Sequence, residues 1–121
     1  MTQFASLLAA LALAGTCGLS HAQVSAKDGV LVGPNGHTLY VFDNDQADSG
    51  KSACNGACAT NWPPLLATTA PSGDGYNMVQ RDDGMGQVAY KGKPLYYWAK
   101  DTKPGDRTGD GVNKVWHAAK P

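Results

Sequence analysis

One sequence pattern occurs twice in this chain, and it constrains the fold more than any other feature. Each copy has a tyrosine, an aromatic residue two positions later, an aspartate three positions after that, and a tryptophan beyond a polar loop. The two copies are Tyr40, Phe42, Asp45, Trp62 and Tyr96, Trp98, Asp101, Trp116. An internal repeat indicates two copies of one supersecondary unit, and a unit of about 50 residues buries little surface alone. We therefore predict one domain whose two copies pack around a shared core.

The composition favours strands and turns over helices. All 10 acidic residues are Asp, and the chain contains 15 Gly and 7 Pro. Glu suits helix interiors, whereas Asp suits turns and caps, so long amphipathic helices are not expected. We predict an all-β domain of two pseudo-symmetric repeats of antiparallel strands. One short helix is predicted near residues 54–60, with Ser52 as its cap.

Short apolar runs between turn signals predict the strands. The turn at residues 33–36 carries Pro and Asn where each suits the geometry, and Lys91-Gly92 suits a second tight turn. The predicted strands span residues 30–32, 37–42, 76–81, 87–90, 94–98 and 114–118. Segment 67–75 is the predicted connection between the halves, and residues 99–112 form a predicted surface loop.

The first 22 residues have the pattern of a secretory signal peptide. An apolar run, residues 7–15, precedes the small-x-small sequence Ser20-His21-Ala22. The run is too short for a membrane span, which takes about 20 apolar residues. We therefore expect an exported chain, periplasmic or extracellular. Its mature domain would span residues 23–121, with the copies at roughly 29–65 and 76–119.

Cys17 suggests an alternative, a lipidated cysteine at the start of the mature chain. A lipoprotein signal normally has Leu three residues before that cysteine and a small residue directly before it. Here Ala14 and Thr16 occupy those positions. A lipid anchor is therefore the less favoured prediction.

The repeated pattern also carries a resemblance to a known family. Tyr40-x-Phe42-x-x-Asp45 is followed by CNGACATNWPPL (54–65), and the second copy of the pattern is followed by GVNKVWHAA (111–119). In these blocks the chain resembles the bacterial secreted-repeat family named for its Tyr-x-[Phe/Trp/Tyr]-x-x-Asp motif, whose members are predicted lipoproteins. The resemblance covers nearly the whole predicted mature chain. It implies an exported domain and brings no established activity with it.

The aromatic residues of the motif allow two interpretations. In a strand, Tyr40 and Phe42 point to one face while Leu39 and Val41 point to the other. In the structural interpretation, the aromatic pairs of both copies pack together and each Asp holds the start of a long loop. In the functional interpretation, they form an exposed shelf with a carboxylate beside it, suited to a sugar or another planar ligand. Aromatic side chains bury the most area per residue in a small core, which favours the structural interpretation.

Cys54 and Cys58 are the two cysteines of the predicted mature chain. In an exported protein such a pair is most simply a disulfide, and residues four apart on a helical turn lie within bridging distance. The alternatives are a redox-active pair or part of a metal site. The spacing is not the Cys-x-x-Cys of thioredoxin-type sites, and zinc would need two further ligands.

Two Asp-rich loops and two histidines raise the question of a bound metal. The candidate side chains are Asp43, Asp45, Asp48, Asp101, Asp106, Asp110, His37, His117, Met78 and Met85. Neither loop follows the EF-hand pattern for calcium, and no Cys-His-Met cluster has the spacing of a blue-copper site. We therefore predict no metal and no cofactor.

The net charge of the chain and the motifs that it lacks argue against several classes of function. The chain has 10 basic and 10 acidic residues, so no net charge attracts it to nucleic acid. It lacks the Gly-x-Ser-x-Gly, His-Glu-x-x-His and phosphate-loop patterns, so we predict that it is not an enzyme. The sequence predicts an exported, non-catalytic binding or interaction domain whose partner is an unidentified envelope or extracellular ligand or protein. The alternative is a cell-envelope redox or metal-binding accessory protein.

Overall fold

The computed structural model describes residues 23–121. The predicted signal peptide and Cys17 lie outside the described residues. The described part is mostly short strands with one α-helix and one 3-10 helix at Val112–Lys114, which confirms the predicted fold class. The elements are β1 (Ser25–Lys27), β2 (Val30–Val32), β3 (Tyr40–Phe42), α1 (Ala57–Asn61), β4 (Tyr76–Gln80), β5 (Gly86–Tyr90), β6 (Lys93–Pro94) and β7 (Trp116–Ala118).

The strands form three small antiparallel sheets: β1 with β2, β3 with β7, and β4 with β5 and β6. Strand β3 belongs to the first copy of the repeat and β7 to the second, so this pair joins the copies. Tyr96 makes isolated bridges to Tyr40 and to Pro64, both in the first copy. The two copies are therefore intertwined through their backbones.

The predicted hairpin at residues 30–42 is only partly formed. The Gly36 amide donates to the Gly33 carbonyl at 2.9 Å across the predicted turn, and the Leu39 amide donates to the Leu31 carbonyl at 2.9 Å. The Gly33 amide also donates to the His37 carbonyl at 3.0 Å, and Val32 forms an isolated bridge with Thr38. Beyond these contacts β2 pairs with β1, and β3 pairs with β7. The β3–β7 register places Phe42 opposite Trp116. Contact within this cross-strand aromatic pair favours the pairing of β3 with β7 over its pairing with β2.

The prediction that Ser52 caps the helix is wrong. Helix α1 begins at Ala57, its N-cap is Gly56 with φ 58°, and no side chain caps it. Glycine tolerates this left-handed conformation, so Gly56 marks the start of the helix. The Ser52 hydroxyl is buried and lies 2.6 Å from the Tyr96 hydroxyl.

Three predicted strands are clearly shorter in the structure. The strand predicted at 37–42 begins only at Tyr40. The strand predicted at 94–98 ends at Pro94, because the chain then leaves β5 for the bridges between Tyr96 and the first copy. The strand predicted at 114–118 begins only at Trp116. Asn113 and Lys114 have φ of 52° and 62°, values in the left-handed region that no strand can include.

Strand alternation divides the interior into two hydrophobic clusters. Tyr40 and Phe42 lie in one cluster with the tryptophans, while Leu39 and Val41 lie in or against the other. This is the division of faces that the alternation in the sequence predicts. The first cluster contains the repeated motif, and the candidate site is built around it.

Candidate functional site

The motif tyrosines and aspartates form two reciprocal hydrogen bonds between the copies. Tyr40 Oη donates to Asp101 Oδ2 at 2.6 Å, and Tyr96 Oη donates to Asp45 Oδ2 at 2.7 Å. All four residues are buried. Each copy therefore supplies a tyrosine to the aspartate of the other copy.

The second oxygen of each aspartate holds a loop of its own copy. Asp45 Oδ1 accepts the Ala53 amide at 2.6 Å. Asp101 Oδ1 accepts the Thr108 amide at 3.0 Å and the Thr108 hydroxyl at 2.6 Å. Each motif aspartate thus joins the loop that follows it to the tyrosine of the other copy.

The protonation of these groups fits a structural role. Burial raises the pKa of Tyr40 and Tyr96 well above the usual phenol value, and the hydrogen bonds to the aspartates raise it further. Both hydroxyls therefore stay protonated and donate. Burial also raises the pKa of Asp45, while the Ala53 amide and the Tyr96 hydroxyl lower it in part.

Four aromatic rings of the motif stack in a single column that alternates between the copies. Ring centroids are 4.2 Å apart for Phe42 and Trp116, 3.8 Å for Trp116 and Trp62, and 3.9 Å for Trp62 and Trp98. The column is symmetric under exchange of the copies, with the pseudo-twofold axis between the two central indoles. Tyr40 meets Trp62 edge-on at 5.5 Å, in the T-shaped geometry that aromatic pairs prefer.

The column leaves little aromatic surface for a ligand. Trp62 and Trp116 are 4% and 3% exposed, and Phe42 is 8% exposed. Trp98 ends the column and is partly buried, with the Lys100 ammonium 5.8 Å from its ring centroid. These positions do not form the open shelf of the functional interpretation.

A buried arginine extends this network, and it was absent from the sequence predictions. Arg81 is 3% exposed and follows directly after β4. Its Nη1 and Nη2 atoms donate to the Ser52 hydroxyl, the Gln87 side-chain oxygen, the Cys54 carbonyl and the Asn55 side-chain oxygen. Strand alternation would have indicated its orientation, because Val79 two positions earlier is also buried.

The predicted disulfide between Cys54 and Cys58 is present, with a Cα–Cα distance of 5.2 Å. Cys54 is fully buried, and Cys58 is partly buried against the same aromatic cluster. The Arg81 guanidinium donates to the Cys54 carbonyl at 2.8 Å. The bridge therefore fastens the start of α1 to the core.

Replacing Cys54 and Cys58 together with alanine is expected to lower the free energy of unfolding by about 2 kcal/mol, because the closed loop is short. Urea denaturation of the variant beside the parent protein measures this loss. We also expect no reactive thiol in the native protein before reduction and unfolding. Two rapidly reactive thiols in native protein from the periplasm would contradict a structural disulfide and favour the redox accessory function.

The candidate metal ligands do not converge in the part of the chain that the structure describes. Residues 23–121 contain no group of three or more His, Cys or Asp side chains placed to hold a metal ion. His117 Nε2 lies 2.8 Å from Asp43 Oδ2 at the surface. The Lys103 ammonium and the Thr102 amide hold the pKa of Asp106 at about 2.

Two open cavities lie away from the aromatic column. The first, here called the apolar groove, has a volume of about 410 Å³ and is lined by Leu66, Ala67, Thr68, Gly84, Met85 and Gly86. The second, here called the polar cavity, has a volume of about 450 Å³ and lies over Asp45 and Ser52. Volumes of this size can hold a side chain or a small ligand.

The structure is thus that of a two-copy domain whose repeated motif joins the copies. The chain belongs to the family described as a secreted repeat of unknown function, which matches residues 22–66 and 72–120. This membership confirms the family resemblance and the prediction of an exported protein. No curated protein and no solved structure matches the chain. No helix within residues 23–121 is long and apolar enough to cross a membrane.

Proposed function

We propose that this protein is an exported, non-catalytic interaction domain that binds an extended apolar segment of a partner polypeptide in the apolar groove. The observation that carries the proposal is the exposure of two large apolar side chains on this groove. Leu66 is 42% exposed and Met85 is 49% exposed. Within residues 23–121, they are the large hydrophobic residues left exposed, and exposed apolar patches mark interaction sites.

The groove lies where the two copies of the repeat meet. Leu66 is at the end of the first copy, and Met85 lies in the loop before β5 of the second copy. The Ala67 amide donates to the Gly86 carbonyl at 3.1 Å across the floor. A Cβ atom on Gly86 would lie 2.8 Å from the Ala67 carbonyl oxygen, so glycine permits this close approach of the two backbones.

The backbone beside the groove supports a polypeptide as the ligand. The hydrogen bonds on either side of Leu66 join residues 65 and 67 to β5. In an antiparallel pair, the amide and carbonyl of the intervening residue then point away from the partner strand. The Leu66 amide and carbonyl make no hydrogen bond within residues 23–121, so an extended segment can pair with them while its apolar side chains contact Leu66 and Met85.

The lining of the groove also suits an apolar partner, because none of its six residues carries a charge. Methionine is flexible and polarisable, and it adapts to different apolar surfaces. The buried tyrosine–aspartate pairs between the copies support a structural role for the motif instead of a catalytic one.

A nuclear magnetic resonance titration tests the proposal with a blocked pentapeptide of alternating valine and threonine as the probe. We expect saturable shifts of the Leu66 amide and the Met85 methyl group, and loss of these shifts in Leu66→Asp and Met85→Lys. Ala99→Asp is the matched control, since Ala99 is exposed outside the groove. Absence of shifts at the groove, or equal binding by Leu66→Asp and the control, would sink the proposal.

A further inference from the structure

We propose that the polar cavity binds a small neutral polyhydroxylated ligand, a saccharide, independently of the apolar groove. Asn44, Gln46 and Lys51 lie on its wall, and Asp45 and Ser52 form its floor. The site lies in the first Asp-rich loop, at residues 44–53. Its chemistry is that of amides, hydroxyls and one carboxylate.

The wall offers hydrogen-bonding groups that the protein leaves unused. The side-chain amides of Asn44 and Gln46 are exposed and make no hydrogen bond within residues 23–121. Each amide provides two donors and an acceptor. A sugar hydroxyl both donates and accepts hydrogen bonds, so it can pair with the donors and with the acceptor of each amide.

The floor adds one acceptor group, the Asp45 carboxylate, because the Ser52 hydroxyl already accepts from the Cys54 amide and from Arg81 Nη1. Asp45 and Ser52 are 4% and 5% exposed. Each Asp45 carboxylate oxygen accepts one hydrogen bond, from the Ala53 amide or from the Tyr96 hydroxyl. A carboxylate oxygen has two lone pairs, so each oxygen can accept one further donor from a ligand.

The charges around the cavity favour a neutral ligand. Lys93 Nζ donates to the carbonyl oxygens of Phe42 and Asp45, both at 3.2 Å. The positive charges of Lys93 and Arg81 act on the Asp45 carboxylate, so the negative charge that would attract a cation is offset. The Lys51 ammonium on the wall lies 3.6 Å from the Asp82 carboxylate, so the positive charge that would attract an anion is offset as well.

The corresponding loop of the second copy is held differently. There the Asp106 carboxylate accepts hydrogen bonds from the Thr102 amide and hydroxyl and from the Lys103 amide, all within the loop. At the spacing of the motif, the position of Asp106 corresponds to Gly50 in the first copy. An added Cβ atom at Gly50 would meet nothing within 4 Å, so no side chain occupies that space in the first loop.

Isothermal titration calorimetry tests the inference with glucose, galactose, N-acetylglucosamine and maltose, and with inorganic phosphate and putrescine as charged comparisons. We expect at least one sugar to bind, and Asn44→Ala and Gln46→Ala each to weaken that binding at least about tenfold, equivalent to about 1.4 kcal/mol. Asn77→Ala, the control, removes an exposed amide from β4 and should leave the affinity unchanged. Leu66→Asp should also leave it unchanged.

Three outcomes would overturn this inference. The first is no binding of any of the four sugars. The second is sugar binding that Asn44→Ala and Gln46→Ala do not weaken. Such binding would take place outside the polar cavity, for example on the exposed part of Trp98. The third is tighter binding of phosphate or putrescine than of every sugar. Because both alanine variants change exposed side chains without hydrogen bonds in the described part of the chain, loss of folding would not obscure the result.

Discussion

Trp62→Ala is expected to lower the free energy of unfolding by about 3–5 kcal/mol, the usual cost of removing a buried tryptophan. The Trp62 indole lies between Trp116 and Trp98, with centroid distances of 3.8 and 3.9 Å. Its removal leaves a cavity in the centre of the column and separates the two copies there. For a domain with a total stability of about 5–15 kcal/mol, this is a large share. Guanidinium denaturation followed by near-ultraviolet circular dichroism measures the loss.

The pseudo-twofold symmetry supplies the comparison for this variant. Trp116→Ala removes the equivalent ring of the second copy and should cost a similar amount. Tyr76→Ala removes a half-buried ring that pairs with Tyr90 outside the column, so its loss should be smaller. A loss for Trp62→Ala within about 0.5 kcal/mol, as for a surface substitution, would contradict a structural role for the motif.

Local pattern predicted much of the fold. The alternation of β3 indicates which side chains share a face, because successive residues in a strand point in opposite directions. The Lys91-Gly92 turn follows from local chemistry as well, since both residues have positive φ there, 50° and 82°, as a two-residue hairpin turn requires. Proximity along the chain likewise suffices to predict the pairing of Cys54 with Cys58.

The strand pairing between the two copies could not be predicted from local sequence. A strand of three residues such as β3 fits several partners by pattern alone, and the choice of β7 depends on the stacking of Phe42 on Trp116, 74 positions later. The position of Ser52 before the helix suggested a cap, but its hydroxyl is held by Tyr96 of the other copy. Contacts over such distances in sequence override local preferences.

The two candidate binding surfaces were also invisible in the sequence. The apolar groove forms because Ala67 and Gly86 lie side by side, and the polar cavity forms because the loop after Asp45 folds over a buried network. The apolar groove contains no residue of the repeated motif, and Asp45 is the one motif residue that lines the polar cavity. The repeated pattern drew attention to the aromatic residues, which the structure places in the core.

Arg81→Met is expected to lower the free energy of unfolding by about 2–4 kcal/mol, because it leaves buried acceptors without a donor and each such group costs about 1–3 kcal/mol. The guanidinium donates to the Cys54 carbonyl and to the Gln87 side-chain oxygen, both at 2.8 Å. Methionine fills much of the volume but donates nothing, so these buried acceptors lose their partner. The substitution should therefore cost stability through hydrogen bonding and not through packing.

Urea unfolding of Arg81→Met and of Arg81→Lys separates these two causes. Lysine keeps the charge, but its single ammonium cannot reproduce the planar fork of donors that reaches Ser52 and Cys54 together. We therefore expect Arg81→Lys to lose stability as well, though less than Arg81→Met. The double variant Arg81→Met with Gln87→Leu removes a donor and its acceptor together, so it should lose less than the sum of the two single variants. If Arg81→Met were as stable as the parent protein, the hydrogen bonds of Arg81 would add nothing to stability beyond packing. The structural role assigned to Arg81 would then be wrong.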